Sequence, residues 1–133
     1  VEDMINTVVR QIAFYDFECR LHAARSEGEL TPDAIGDLWM AVQRESLGDA
    51  FEWMEGYETF WSYIPHFVHS PFYVYAYAFG DGLVNALYAA YADGLPEFEA
   101  KYLAMLEAGG SKHHRELLAP FGLDAGDPAF WGK

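Results

Sequence analysis

Apolar residues recur every three or four positions along this chain, and glycines and prolines interrupt the pattern at intervals. Thr31 followed by Pro32 is typical of the start of a helix, and Gly48 is typical of its end. No segment alternates apolar and polar residues with the period of two that marks a half-buried strand. The pattern therefore predicts an all-α fold, a compact bundle-like array of roughly five to seven helices that forms a single domain over residues 1–133.

The first predicted helix runs from residue 1 to about residue 25 and ends before Gly28. Its apolar stripe, spaced by three and four positions, consists of Met4, Ile5, Val8, Ile12, Tyr15, Cys19 and His22. We expect this face of the helix to be the buried one.

Residues typical of helix starts and helix ends also divide the rest of the chain into predicted elements. The predicted elements are, in order, short helical turns over residues 49–63, a long helix from Pro71 to Ala92 with Ser70 as its N-cap, a helix that begins near Phe98 and stops at Gly109, a last helix through Leu118 with Ser111 as its cap, and an irregular tail anchored by Phe130 and Trp131.

Charge and composition exclude several classes of function. The 21 acidic residues outnumber 8 basic ones, so the net charge of −13 disfavours a nucleic acid or an anionic membrane as partner. Gly80, Asp81 and Asn85 interrupt the most apolar segment, which argues against a transmembrane helix. Cys19 is the only cysteine, so no internal disulfide forms, and we expect a cytoplasmic location.

Residues Ile64–Gly80 combine two histidines and three tyrosines with an otherwise apolar sequence. Unpaired polar tips are costly in such surroundings, so these side chains are candidates for a site. His66 and His69 are predicted to lie in a loop before the long helix. On that helix Tyr73 and Tyr77 share a face, whereas Tyr75 is rotated by about 200° from either.

The same segment also carries a family pattern. Pro-His-Phe at residues 65–67 leads into Phe-Tyr-Val-Tyr-Ala-Tyr-Ala-Phe-Gly at residues 72–80, which resembles the C-terminal part of the oligoendopeptidase F family of zinc metallopeptidases. Further similar stretches, in the same order, are Arg10-Gln11, Phe17-Glu18, Gly28–Thr31, Tyr102-Leu103, Leu106–Ser111, Glu116–Leu118, Gly122–Asp124 and Asp127–Trp131. The resemblance implies that the chain is one flank of a larger helical catalytic domain that hydrolyses short peptides.

By this resemblance, His66 and Tyr75 are the catalytic hydrogen-bond donors, and His69 and Tyr73 bind substrate. Val68 stands where relatives often carry a further tyrosine. The family's zinc motif, H-E-x-x-H, is missing, because no histidine here is followed by glutamate. We therefore expect zinc in the full-length parent, no zinc bound by this chain alone, and no peptidase activity from the isolated chain.

Two readings without catalysis stay open from the residues alone. The chain would also suit a stand-alone helical module that binds peptides or a partner in an aromatic groove, or an oligomerisation domain. Exposed aromatic residues over 53–61 and 73–79 further predict a homodimer, which the charge of −13 would oppose at low ionic strength.

Overall fold

The computed structural model describes residues 2–132 and is all-α within them, which confirms the predicted fold class. Its seven α-helices are α1 (Glu2–Met4), α2 (Arg10–Glu27), α3 (Pro32–Leu47), α4 (His66–His69), α5 (Tyr75–Ala92), α6 (Phe98–Ala108) and α7 (His114–Leu118). A π-helical segment, Ile5–Val9, joins α1 to α2, and short 3-10 turns such as Tyr57–Tyr63 occupy several connections. None of the helices built from the described residues is long and apolar enough to cross a membrane.

The chain is divided into two compact units, one reaching Phe79 and one beginning at Gly80, so that α5 crosses the division. In the first unit α2 packs against α3. The Thr31 hydroxyl caps α3 by accepting a hydrogen bond from the Ala34 N–H at 3.2 Å, as its sequence predicts. The buried core of this unit consists of Ala13, Phe14, Phe17, Trp39, Val42, Ile64 and Val74.

The buried face of the first long helix differs from the predicted one. Ala13, Phe14, Phe17 and Glu18 are its buried residues, while Ile12 is more than half exposed. The π-helical segment accounts for part of this difference, because a turn closed by i→i+5 bonds shifts the register of every residue that precedes it. A single 3.6-residue stripe therefore cannot continue from α1 into α2.

The start of the long tyrosine-rich helix was also predicted wrongly. Ser70 follows α4 as its C-cap, with its N–H donating to the His66 carbonyl, and α5 begins only at Tyr75. Between them Phe72 has φ +60°, which interrupts the right-handed helix. His66 and His69 consequently lie at the two ends of α4 rather than in a loop.

The second unit has a core of Ala86, Leu87, Leu118, Phe121, Leu123 and Phe130. The tail docks through Phe130, as expected, and the Trp131 Nε1–H donates to the Ala125 carbonyl at 3.1 Å. The predicted cap at Ser111 was wrong. Its hydroxyl donates back to the Ala108 carbonyl, and α7 starts later, where the His113 imidazole accepts from the Arg115 N–H.

Candidate functional site

His66, Tyr73 and Tyr77 form a cluster in the first unit, called here the His66 cluster. The His66 Nε2 and the Tyr77 hydroxyl lie 3.1 Å apart, within hydrogen-bond distance. The Tyr73 ring lies parallel to the imidazole at 6.4 Å, and the Tyr77 ring meets it edge-on at 5.8 Å. The two tyrosine rings are themselves 5.8 Å apart and perpendicular.

Local structure explains why these three side chains meet. His66 is the first residue of α4, Tyr77 lies in the first turn of α5, and Tyr73 lies just before that turn. Val74 is fully buried in the core of the first unit and anchors the chain between the two tyrosines. Both tyrosines remain open to solvent, with 53% exposure for Tyr73 and 41% for Tyr77.

Tyr75 points elsewhere. Its ring lies 5.6 Å from the Tyr15 ring of α2, edge to face, and it is 52% exposed. The predicted separation of Tyr75 from Tyr73 and Tyr77 is therefore confirmed, and the two predicted donors, His66 and Tyr75, belong to different groups of contacts. A hydrogen bond with the Cys19 thiol raises the pKa of Tyr15, the aromatic partner of Tyr75, above its ordinary value.

His69, the last residue of α4, is exposed and lies outside the His66 cluster. Within residues 2–132, no group of three or more histidine, cysteine, aspartate or glutamate side chains is placed to hold a metal ion. A catalytic zinc needs three converging protein ligands, so these residues do not fit one by themselves.

Two residues of this region were missed by reasoning from the sequence. Glu18 is fully buried in α2 and accepts a hydrogen bond from the Phe72 N–H, and Phe72 has a left-handed backbone conformation. A signal for Glu18 was present, because it lies four positions after Phe14 and beside Phe17, on the face that proves to be buried. Nothing in the local sequence marks Phe72, since its conformation depends on a contact 54 positions away.

The His66 cluster and Tyr75 present hydrogen-bonding groups on an open surface. A neutral imidazole and a phenol carry one donor proton each, and their mutual bond uses one of the two. The other proton remains for an outside acceptor such as a carbonyl oxygen. The arrangement is therefore suited to binding an oxygen acceptor, either uncharged or anionic.

Comparison with known proteins identifies the class. The model of peptidase family M3 matches residues 1–133, which is the whole chain. The chain is 32% identical over 130 residues to oligopeptidase PepF of Bacillus subtilis (strain 168), covering 96% of this chain and 19% of the relative. It is 34% identical over 119 residues to the plasmid oligoendopeptidase F of Lactococcus lactis subsp. cremoris, covering 89% and 20%.

The chain belongs to peptidase family M3. Its predicted resemblance to oligoendopeptidase F is thereby confirmed. A third relative, the group B oligopeptidase PepB of Streptococcus agalactiae serotype III (strain NEM316), is 33% identical over 119 residues, covering 89% of this chain and 20% of its own. The chain thus spans about a fifth of the length of these relatives. No solved structure matches it.

Proposed function

We propose that this chain is the substrate-binding part of a zinc-dependent oligoendopeptidase that hydrolyses short peptides. The observation that carries the proposal is the family match over all 133 residues, together with half-buried His66 and exposed tyrosines on one short segment. Because H-E-x-x-H is missing from the sequence, zinc and the general base come from other parts of the intact peptidase, and the isolated chain is inactive.

His66 and Tyr75 are the proposed catalytic donors, and His69 and Tyr73 the proposed substrate-binding residues. Hydrolysis of a peptide places negative charge on the carbonyl oxygen, and a donor aimed at that oxygen stabilises the transition state more than the ground state. The Tyr77 hydroxyl supports this role, since its bond to Nε2 fixes the orientation of the His66 ring. The remaining imidazole nitrogen, or the Tyr77 proton, then serves the substrate.

The test uses an intact peptidase that contains these 133 residues. His66→Ala and Tyr75→Phe should each lower kcat for a short peptide by about 100–1,000-fold, with a smaller change in KM. Lys112→Ala, an exposed residue outside the first unit, is the matched control. Unchanged kcat in both His66→Ala and Tyr75→Phe would show that this segment does not contribute the donors.

A non-catalytic binding module is the second candidate, and one feature of the second unit favours it. Tyrosines and apolar side chains of α5 and α6 surround an open cavity of about 340 Å³, lined by Val84, Leu87, Tyr88, Tyr91, Phe98 and Tyr102. Aromatic walls of this kind suit an apolar peptide segment. If the isolated chain bound short peptides and the intact protein cleaved none, this reading would replace the first.

Three further expectations remain proposals. The chain is treated as one domain of the peptidase, it is expected in the cytoplasm, and it is expected to form a homodimer through exposed aromatic surface. Sedimentation of the isolated chain at low and high salt tests the last, because screening of the charge of −13 should favour association. A monomer of 15 kDa under both conditions would contradict it.

A further inference from the structure

The carboxyl group of Glu18 is hydrogen-bonded to the backbone segment that carries the candidate site. Its side chain is fully buried between α2 and the rest of the first unit, at 0% exposure. Oε1 accepts a hydrogen bond from the Phe72 N–H at 2.9 Å. This bond ties α2 directly to residues 70–74, the turn that connects α4 to α5.

Phe72 is held in an unusual conformation at this contact. Its φ of +60° is uncommon for a residue with a side chain, and it persists only where the surroundings fix it. Two side chains of α2 hold its ring as well, with His22 at 4.7 Å and Tyr15 at 6.1 Å. Glu18 thus holds the backbone of Phe72 while its neighbours on the same helix hold the ring.

The turn decides where the tyrosines point. His66 lies in α4 before the turn, and Tyr75 and Tyr77 lie in the first turn of α5 after it. The backbone angles of Phe72 therefore set the rotation of the first turn of α5 relative to α4, and with it the distance from Nε2 of His66 to the Tyr77 hydroxyl. A right-handed φ at this position would carry the tyrosines to other directions.

We propose that Glu18 is a positioning residue of the peptidase, which orients the His66 cluster and Tyr75 through its hydrogen bond to Phe72. The catalytic consequence rests on the proposed function, whereas the positioning itself is a property of this chain. Burial of a carboxyl group is unfavourable without full pairing, and among the described residues Glu18 Oε2 has no hydrogen-bond partner. An apolar residue would suit the core better, so the carboxyl group has a role other than packing.

Two substitutions separate positioning from packing. Glu18→Gln keeps an acceptor oxygen, whereas Glu18→Met keeps the size and removes the acceptor. In ¹⁵N NMR spectra of the 133-residue chain, Glu18→Met should speed hydrogen exchange of the Phe72 amide by about tenfold or more and shift the His66 imidazole signals. Glu18→Gln should leave both close to the unsubstituted chain. Asp16→Asn, a half-exposed acid on the same helix that pairs with Arg20, is the control and should change neither.

Unchanged Phe72 exchange and unchanged His66 signals in a folded Glu18→Met chain would overturn the proposal. If that variant does not fold, the test uses the unsubstituted chain. The hydrogen bond should give a scalar coupling between the Phe72 amide nitrogen and the Glu18 carboxyl carbon, and absence of this coupling would overturn the proposal. In the intact peptidase, Glu18→Met should lower kcat more than it changes KM, with rescue by Glu18→Gln. If Glu18→Met displaced the His66 signals but His66→Ala left kcat unchanged, the positioning role would be supported and the proposed function would be rejected.

Discussion

The His66 Nε2 and the Tyr77 hydroxyl oxygen lie 3.1 Å apart, across the turn that joins α4 to α5. This contact links the histidine to a tyrosine that the sequence pattern did not assign to the site. It also separates two kinds of role, because Tyr77 touches His66 directly whereas Tyr75 packs against Tyr15 of α2. Tyr77, which contacts another side chain, and Tyr75, the proposed substrate-facing donor, should respond differently to loss of the hydroxyl.

Tyr77→Phe should therefore have an intermediate effect in the intact peptidase. Loss of one neutral hydrogen bond corresponds to about a fivefold to tenfold fall in kcat, less than loss of a donor aimed at the oxyanion. The variant should also shift the imidazole nitrogen signals of His66, because the group that fixes its tautomer is gone. Tyr63→Phe, an exposed tyrosine outside the His66 cluster, is the control.

Tyr75→Phe is expected to be the more damaging change, at about 100–1,000-fold in kcat with little change in KM. The reason is that Tyr75 is the proposed catalytic donor, and such a donor is used mainly in the transition state. Steady-state kinetics with one short peptide would compare the two variants directly. If Tyr75→Phe left kcat unchanged while Tyr77→Phe lowered it strongly, the assignment would be reversed, and the catalytic tyrosine would be the one in the His66 cluster.

The parts of the fold that sequence predicted correctly depend on local chemistry. The Thr31 cap, Pro32 at the start of α3 and the glycines that follow α2, α3 and α6 each act within one helical turn, so their residue types suffice. The separation of the Tyr75 ring from the rings of Tyr73 and Tyr77 was also predicted correctly, although Tyr73 lies before α5 and not on it.

The parts of the fold that were predicted wrongly depend on contacts between residues far apart in the chain. The Ser70-Pro71 pair has the residue types of a helix start. However, Phe72, which directly follows this pair, is held in a left-handed conformation by its hydrogen bond to Glu18. The helix therefore begins three positions after Phe72, at Tyr75. The π-helical segment before α2 likewise has no signature in residue type. Pairing of His66 with Tyr77 follows from that displaced start, and spacing alone did not show it.

Gly82 and Gly80 offer a matched test of packing in the second unit. A Cβ at position 82 would lie 2.7 Å from Cζ3 of Trp131, whereas a Cβ at position 80 would have nothing within 4 Å. Gly82→Ala should therefore destabilise the chain by about 1–3 kcal/mol through overpacking. Gly80→Ala should stabilise it by about 0.5–1 kcal/mol, because alanine costs less conformational entropy in a helix. Urea unfolding followed by circular dichroism compares the two, and equal effects would show that Trp131 does not pack against this helix.

Tyr57 provides a test of the first unit through pH. Its hydroxyl donates to Gln43 Oε1 at 3.3 Å, and burial raises its pKa above the ordinary value of 10.0, an effect that Arg10 partly offsets. The folded state therefore holds this proton more tightly than the unfolded chain does. Its contribution to stability is fully present below pH 10 and is lost as the pH rises from the unfolded pKa through the folded one.

Tyr57→Phe cannot ionise, so the free energy of unfolding should fall less steeply above pH 10 in this variant than in the unsubstituted chain. Tyr63→Phe, an exposed tyrosine of the same 3-10 turn, should keep the original slope. Parallel pH profiles for the Tyr57→Phe variant and the unsubstituted chain would show that the Tyr57 hydroxyl is as well solvated in the folded state as in the unfolded one.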